Sequence, residues 1–261
     1  AYEGWDFVYS DITYSLGANV ENLYLMGTAA INGTGNALNN LISGNSAANF
    51  FAGGGGNDTY FISAGDTVVG NVNEGLDAIY SDYSFTLGAN LENLTLWGSA
   101  ASGTGNALSN MLTGNTAANV LDGKSGADTL TGSTGNDTYL LGRSYGLDTI
   151  IETDATADNT DVAQFLSGVA TDQIWFQHTG NNLEVSIIGT ADKMVVKDWY
   201  LGTANHIEQF KTTDGAKTLL DSQVESLVNA MASFSPPAAG QTTLPPAYQT
   251  SLNPVLAANW Q

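Results

Sequence analysis

The chain has 261 residues, of which 26 are acidic and 6 basic, giving a formal net charge of −20 at pH 7. A nucleic-acid-binding protein needs a basic face, so this charge argues strongly against that class. The chain contains no cysteine, so disulfides do not stabilise it. Its apolar content of 43% is typical of a globular protein, and no apolar run approaches the ~18 residues of a membrane span.

The first feature along the chain is a repeat of about 71 residues. Glu3-Gly-Trp-Asp6 recurs as Glu74-Gly-Leu-Asp77, and the segment 16–23 recurs at the same offset as 87–94. The chain starts inside such a repeat, and native repeat proteins cap their terminal units. We therefore expect 1–261 to be a fragment of a longer protein with further repeats upstream.

Each repeat contains a block of nine-residue units of the form Gly-x-x-x-x-[Asn/Asp]-x-apolar-x. The blocks span 35–61 and 105–140 and hold seven units in unbroken register. In each unit a glycine-rich stretch turns and the last three residues form a short strand. Two units make one coil, and coils stack ~4.8 Å apart as parallel strands with the apolar residue inward. These inward residues are Ile42, Phe51, Tyr60, Leu112, Leu121, Leu130 and Tyr139. The pattern predicts an all-β fold, a right-handed parallel β-roll.

The sixth position separates two kinds of unit. Four units carry asparagine there, and we interpret them as coils without an ion, in which neutral amides ladder along the stack. The other three carry Asp58, Asp128 and Asp137. The four asparagines are Asn40, Asn49, Asn110 and Asn119.

Stacking places each of these aspartates against a second one in the next coil. We expect the pairs Asp58 with Asp77, Asp128 with Asp148, and Asp137 with Asp161. Calcium prefers six to eight oxygen ligands, a mixture of carboxylates and backbone carbonyls. Glycine tolerates positive φ and so lets several carbonyls converge. The spacing therefore predicts Ca2+ sites, whose further candidate ligands are Gly53, Gly55, Gly123, Ser125, Gly132, Thr134 and, on the other edge beside Asn49, Asp66.

Two other interpretations of the aspartates compete with ion binding. An aspartate in a turn can cap its own backbone, and paired aspartates can act in acid–base catalysis. Regular spacing favours ion binding over both. Gly123-Lys124-Ser125 is not a phosphate loop, because Ala118 stands where that motif needs glycine. Neither histidine has the spacing of a zinc ligand, so we predict that the chain is not an enzyme.

The nonapeptides stop near residue 165. We divide the chain into a roll at 1–165, a capping domain at 166–235 and a proline-rich tail at 236–261. Apolar runs in the cap predict antiparallel strands, at 174–176, 183–188, 194–200 and 206–210. A helix is expected from Ser222 to about Phe234, with Val224, Leu227, Val228 and Met231 on one face. The tail, which holds all five prolines, is expected to be irregular.

The nonapeptides, above all the Gly-Gly-x-Gly-x-Asp form at 53–61, resemble the calcium-binding repeats of the RTX, or haemolysin-type, family. Segments such as Lys197-Asp-Trp-Tyr200 and Asp214-Gly215 are similar to the domain that closes many large members. The resemblance implies a secreted or cell-surface protein of a Gram-negative bacterium. It implies export through type I secretion machinery, with the signal in the C-terminal tail, and folding on contact with calcium outside the cell.

Two alternatives stay open on the sequence alone. The chain could be an accessory module of a secreted protease, lipase or polysaccharide-modifying enzyme. It could also be a segment of an adhesin or surface layer, with a cell-surface or polysaccharide partner. We favour a non-catalytic calcium-binding module that supports secretion of a larger protein.

Overall fold

The computed structural model describes residues 4–156 and 158–261. Residues 1–3, with which the predicted roll begins, lie outside the described residues. Up to residue 165 the described residues form eighteen short strands joined by turns. In chain order they are β1 Phe7–Ser10, β2 Tyr14–Ser15, β3 Asn22–Leu25, β4 Gly33–Thr34, β5 Leu41–Ser43, β6 Phe50–Ala52, β7 Thr59–Ile62, β8 Thr67–Val69, β9 Ala78–Ser81, β10 Phe85–Thr86, β11 Asn93–Leu96, β12 Ser102–Thr104, β13 Met111–Thr113, β14 Val120–Asp122, β15 Thr129–Thr131, β16 Thr138–Leu141, β17 Leu147–Ile150 and β18 Val162–Phe165.

These strands form a parallel β-roll. The nine odd-numbered strands, β1 to β17, pair side by side on one face, and the even-numbered strands form the opposite face. Three strands from the C-terminal third extend the first face to a sheet of twelve. That second face is divided into a four-stranded sheet, β2 to β8, and a seven-stranded sheet that begins at β10. Within the nonapeptide blocks Leu41 lies opposite Thr59 and Met111 opposite Thr129, 18 residues apart in each case. The predicted coil of two nonapeptides is confirmed.

The core is a stack of apolar side chains between the two faces. All seven predicted inward residues are 0% exposed to solvent. Leu23, Ile42 and Tyr60 are successive partners across β3, β5 and β7, so each side chain lies directly over the next. Burying one such side chain contributes about 1.5–3 kcal/mol. No single coil encloses its apolar residue, so this stabilisation exists only in the stack. The predicted fold class is confirmed.

Five further strands follow in the C-terminal third: β19 Ile174–Thr179, β20 Asn182–Ile187, β21 Lys193–Val196, β22 Gln209–Thr212 and β23 Thr218–Leu220. Short 3-10 helices lie at Thr171–Gln173, Trp199–Leu201, Thr203–Asn205 and Asp214–Ala216. Antiparallel pairing is found for β19 with β20, β20 with β21 and β22 with β23.

The roll continues into this third, which the prediction of antiparallel strands missed. Strand β21 pairs in parallel with β17, and β22 pairs in parallel with β18. An alternation of apolar residues reads the same in both directions, so it cannot specify the direction of pairing. The division of the chain at residues 165 and 235 stays a prediction, because the two main sheets run across the first of these boundaries.

Two helices close the structure. Helix α1, Asp221–Met231, buries the four residues predicted for its inner face. It begins one residue before the predicted start, and the Leu220 amide donates to the Gln223 side chain at 3.1 Å. Among the described residues no helix is long and apolar enough to cross a membrane.

The prediction of an irregular tail is wrong for its second half. Helix α2, Pro246–Asn259, packs against α1. Pro245 and Pro246 stand at its N-terminus, where a missing amide hydrogen costs nothing. Its residues Leu252 and Leu256 are buried, and the ring of Trp260, which follows the helix, lies 6.5 Å from that of Phe176. Packing of this apolar face outweighs the disfavoured Pro254 inside the helix.

Candidate calcium-binding sites

The turns that carry the aspartates are built from residues with positive φ. In the turn 53–58, Gly54 and Gly56 have φ of 94° and 106°. The corresponding second position in the next two Asp units is occupied by Lys124 and Ser133, which also adopt positive φ. A side chain in this conformation costs of order 1 kcal/mol, so these turns are held by their surroundings. The result is a tight loop that points the sixth residue at the neighbouring coil.

The three predicted aspartate pairs are brought together. The amide of Asp58 donates to Asp77 Oδ1 at 2.9 Å. The Asp128 amide donates to Asp148 Oδ1 at 3.2 Å, and the Asp137 amide to Asp161 Oδ1 at 2.7 Å. All six side chains belong to residues that are buried. Asp66 lies on the other edge as expected, where its Oδ1 accepts from the Asn49 amide at 2.8 Å.

Asparagine at the same position is fully satisfied by protein groups. Asn40 Oδ1 accepts from the Asn36 amide at 2.7 Å, and its Nδ2 donates to the carbonyls of Val20 and Glu21 in the preceding coil. Asn110 repeats this arrangement with Asn106 and with the carbonyl of Glu92. The amides therefore bond to backbone and do not ladder with one another, because the nearest acceptors are turn carbonyls. These coils need no ion.

An aspartate carries a second oxygen, Oδ2, where an asparagine carries the amide nitrogen Nδ2. The aspartate Oδ1 accepts an amide from the preceding coil, as Asp58 does from Asn40 and Asp128 from Asn110, both at 2.7 Å. Among the described residues, the buried second oxygen Oδ2 has no hydrogen-bond partner in Asp58, Asp128 and Asp148. An orphaned buried acceptor costs about 1–3 kcal/mol, and more when it is charged. A cation at this oxygen removes the penalty.

The first glycine of each Asp unit makes room for that oxygen. A Cβ on Gly53 would overlap Asp58 Oδ2, one on Gly123 would overlap Asp128 Oδ2, and one on Gly132 would overlap Asp137 Oδ2. The Tyr60 hydroxyl reaches the same point beside Gly53 and is also without a partner in the described part of the chain. The glycines thus preserve a cradle of oxygens that any side chain would fill.

The electrostatics of the pairs favour a bound proton or cation. Burial raises the pKa of Asp58 to about 7 and that of Asp137 to about 6. Burial also raises the pKa of Asp148 and of Asp161 to about 8. Neighbouring carboxylates add to the rise, and the amide hydrogen bonds oppose it. Ionised at neutral pH, these groups destabilise the folded roll unless a cation neutralises them.

The predicted glycine ligands do not all face the partner coil. The Gly53 carbonyl lies against Gly35 of the preceding coil, and the Gly123 carbonyl lies against Gly105. Facing the following coil are instead the carbonyls of Gly56, against Gly75, and Gly126, against Gly146. Gly55 donates its amide to the Asn36 carbonyl at 2.9 Å. Ser125 is half-buried and Thr134 exposed.

Carbonyl ligands are needed for the chemistry of these sites. Across the described residues, no three His, Cys, Asp or Glu side chains converge as a group that could hold a metal. Each aspartate pair must therefore be completed by backbone oxygens, which is the mixture that calcium accepts. The glycine at the fourth position of the turn, Gly56 or Gly126, is a candidate that the sequence prediction omitted.

The stacked aspartates form a carboxylate column that runs from coil to coil. Three glutamates, which the sequence prediction missed, extend this column. Glu92 Oε2 accepts from the Asp77 amide at 2.9 Å, and Glu208 Oε2 accepts from the Asp161 amide at 2.7 Å. Glu21 does the same for Asp6 at 2.9 Å. Glu21 and Glu92 occupy equivalent places in the 71-residue repeat, which marks them as equivalent to each other but does not show that they contact the aspartates. Burial raises the pKa of Glu208.

Comparison with protein families agrees with this geometry. The family model for the RTX calcium-binding nonapeptide repeat (4 copies) matches residues 34–69 and 104–143, which contain both predicted blocks. The model for the haemolysin-type calcium binding protein related domain matches residues 182–217, which contain β20, β21 and β22. RTX nonapeptide repeats bind Ca2+ and are typical of extracellular proteins. The chain is therefore an RTX repeat protein, a calcium-binding β-roll followed by a haemolysin-type related domain.

Proposed function

We propose that this chain is a folding switch that calcium operates, and that it supports the secretion of a larger protein. The observation that carries the proposal is the contrast at the sixth position of the repeat. Asparagine there is satisfied by backbone groups, whereas among the described residues Asp58 and Asp128, and Asp148 opposite Asp128, each hold one buried carboxyl oxygen without a partner. A chain with such carboxylates is unstable where calcium is scarce and stable where it is abundant.

We assign three sites, each between two stacked turns. The first would be held by Asp58 and Asp77, the second by Asp128 and Asp148, and the third by Asp137 and Asp161. Backbone oxygens of the turns complete them, and Gly56 and Gly126, which face the following coil, take the place of the predicted Gly53, Gly123 and Gly132, whose carbonyls face the preceding coil. The predicted Gly55, Ser125 and Thr134 stay candidates. Bound calcium supplies positive charge between the carboxylates. Asp66 is a fourth candidate, although both its oxygens accept amide hydrogens, from Asn49 and Ser63.

The proposed sites are sufficient to decide whether the roll folds. A ligand that binds only the folded state adds RT ln(1 + [L]/Kd), about 2.7 kcal/mol per site at a hundredfold excess. Three such sites add roughly 8 kcal/mol, comparable with the whole stability of a domain. The protein's part is to place the oxygens: stacked apolar residues fix the spacing of the coils, and the turns aim the carboxylates.

Removal of one ligand tests the assignment. Asp58→Asn is expected to lower the calcium content by one ion per chain, measured by equilibrium dialysis and atomic emission. Asparagine occupies this position in four other units, so the turn is expected to fold. Asp11→Asn is the matched control, since Asp11 is exposed and outside every proposed site. An Asp58→Asn protein that retains the full calcium content would refute the first site.

Secretion has its own test. In Gram-negative cells with a haemolysin-type exporter, the full chain is expected in the medium and a chain lacking 238–261 is expected to remain inside. Leu252→Asp is the control, because it disrupts the packing of α2 while keeping the segment. Export of the truncated chain at the full level would show that the signal lies elsewhere, without bearing on calcium binding.

A further inference from the structure

The outer surface of the twelve-stranded sheet carries a row of aromatic side chains in its first half. In register, Tyr9 lies opposite Tyr24, Tyr24 opposite Ser43, Ser43 opposite Phe61, and Phe61 opposite Tyr80. The rings of Tyr9 and Tyr24 stack at 5.1 Å, and those of Phe61 and Tyr80 at 4.9 Å, with 18° between planes in both pairs. Their faces are therefore turned along the row, toward the next strand.

Ser43 interrupts this row and creates a cleft. The aromatic walls on its two sides, Tyr24 and Phe61, are two strands apart, about 9.6 Å at the usual strand spacing. The cleft has a volume of about 480 Å³, and Ser43 and Ser63 bring hydroxyl groups to it. The exposed indole of Trp97 lines it as well. Ligand sites are typically built in this way, from apolar and aromatic walls with a small number of placed polar groups.

The width of the cleft selects the shape of its occupant. Carbon atoms in contact lie ~3.5–4.0 Å apart, so a flat ring between two aromatic faces fills about 7–8 Å. The wider gap suits a thicker, puckered ring. A pyranose has that thickness, offers C–H groups from both faces to the aromatic walls, and carries hydroxyls at its edge for the serines.

The negative charge of this part of the chain narrows the class of ligand further. Residues 1–123 contain 11 aspartates and glutamates and no lysine or arginine. Nucleotides, acidic polysaccharides and anionic lipid surfaces would meet only repulsion here, whereas a neutral sugar is indifferent to this field.

We propose that this cleft binds a hexopyranose unit of a neutral polysaccharide, and that the stacked pairs Tyr9–Tyr24 and Phe61–Tyr80 contact the adjoining units of the chain. This assignment is independent of the calcium sites, which lie at the turns, but it requires the folded roll. It makes the roll an anchor to a glycan surface as well as a folding module.

The test uses the full chain in millimolar calcium with cellohexaose and mannohexaose, two neutral chains of hexopyranose units, as probes. At least one is expected to bind, by calorimetry and by a change of tryptophan fluorescence that Trp97→Phe removes. Phe61→Ala is expected to weaken that binding at least tenfold. Phe50→Ala is the matched control: it is an exposed phenylalanine in the adjacent strand of the same coil, on the opposite face, and should bind normally.

A second variant separates the cleft from general adhesion to aromatic side chains. Ser43→Trp would fill the gap while enlarging the aromatic surface, and it is expected to abolish binding. The proposal is overturned if no probe binds at 10 mM, if Phe50→Ala weakens binding as much as Phe61→Ala, or if Ser43→Trp binds more tightly. It is equally overturned if sedimentation shows a dimer that Phe61→Ala dissociates, since a second copy of the chain would then cover this face.

Discussion

In the presence of chelator the chain is expected to show the far-UV circular dichroism of a largely unfolded protein, and millimolar calcium is expected to restore the β spectrum cooperatively. The physical reason is the set of buried carboxylates, which repel one another. Among the described residues, Asp58, Asp128 and Asp148 also each hold one oxygen that has no hydrogen-bond partner until a cation binds it. Stacking makes the transition cooperative, because each coil acquires a closed core only when its neighbours fold.

Magnesium is the control for this switch. It demands near-ideal octahedral geometry at ~2.0–2.1 Å and gives up water reluctantly, so a site made of turn carbonyls and stacked carboxylates should reject it. Magnesium at the same concentration is expected to leave the spectrum of the chelated chain almost unchanged. A β spectrum already complete in chelator would contradict the switch, and would mean that the asparagine coils and the C-terminal strands hold the roll together alone.

The second large effect is an inversion of the pH dependence of stability by calcium. Folding raises the pKa of Asp58 to about 7 and of Asp148 and Asp161 to about 8. A carboxyl whose pKa is raised in the folded state gives its full stability below the unfolded value, about 4, and loses it as pH rises through 6 to 8. In chelator the chain should therefore be several kcal/mol more stable at pH 5 than at pH 8.

In saturating calcium the slope is expected to reverse over the same range, because protons and calcium compete for the same oxygens. The folded fraction from circular dichroism at each pH measures the slope in chelator, and urea unfolding measures the slope in calcium. The double variant Asp58→Asn with Asp148→Asn is the control and should make the profile in chelator shallower, leaving the part that Asp161 contributes. Repetition at 0.5 M NaCl separates this effect from general repulsion, which salt screens. A chelated chain that is less stable at pH 5 than at pH 8 would contradict the role assigned to these carboxyls.

Much of the calcium-binding arrangement follows from local periodicity. A nonapeptide specifies a turn and a strand, so two units close a coil and every ninth residue repeats its environment. That rule identified the inward residues and placed Asp58 beside Asp77 and Asp137 beside Asp161, although the second member of each pair lies outside the repeat blocks. The spacing is sufficient because each coil contacts only its neighbours.

The nine-residue period does not determine the direction in which a turn carbonyl points or in which a strand pairs. The side on which a turn carbonyl faces distinguishes Gly53 from Gly56, although both are glycines of the same motif. The parallel addition of β21 and β22 and the helix formed by 246–259 depend on which surfaces remain uncovered after the roll has formed. A proline-rich segment is a weak helix former by itself, and it becomes one here because Leu252 and Leu256 gain a buried surface.

The sequence by itself determined that this protein is a stack of coils with calcium-binding turns, because that information lies in the residue types at fixed nine-residue intervals. Only the tertiary structure decided which carboxyl oxygens are left without partners, that Glu92 and Glu208 extend the carboxylate column, and that Tyr24 and Phe61 flank a cleft at Ser43. These features depend on contacts between coils 15 to 47 residues apart along the chain. Stacking creates such contacts, and no single repeat contains them.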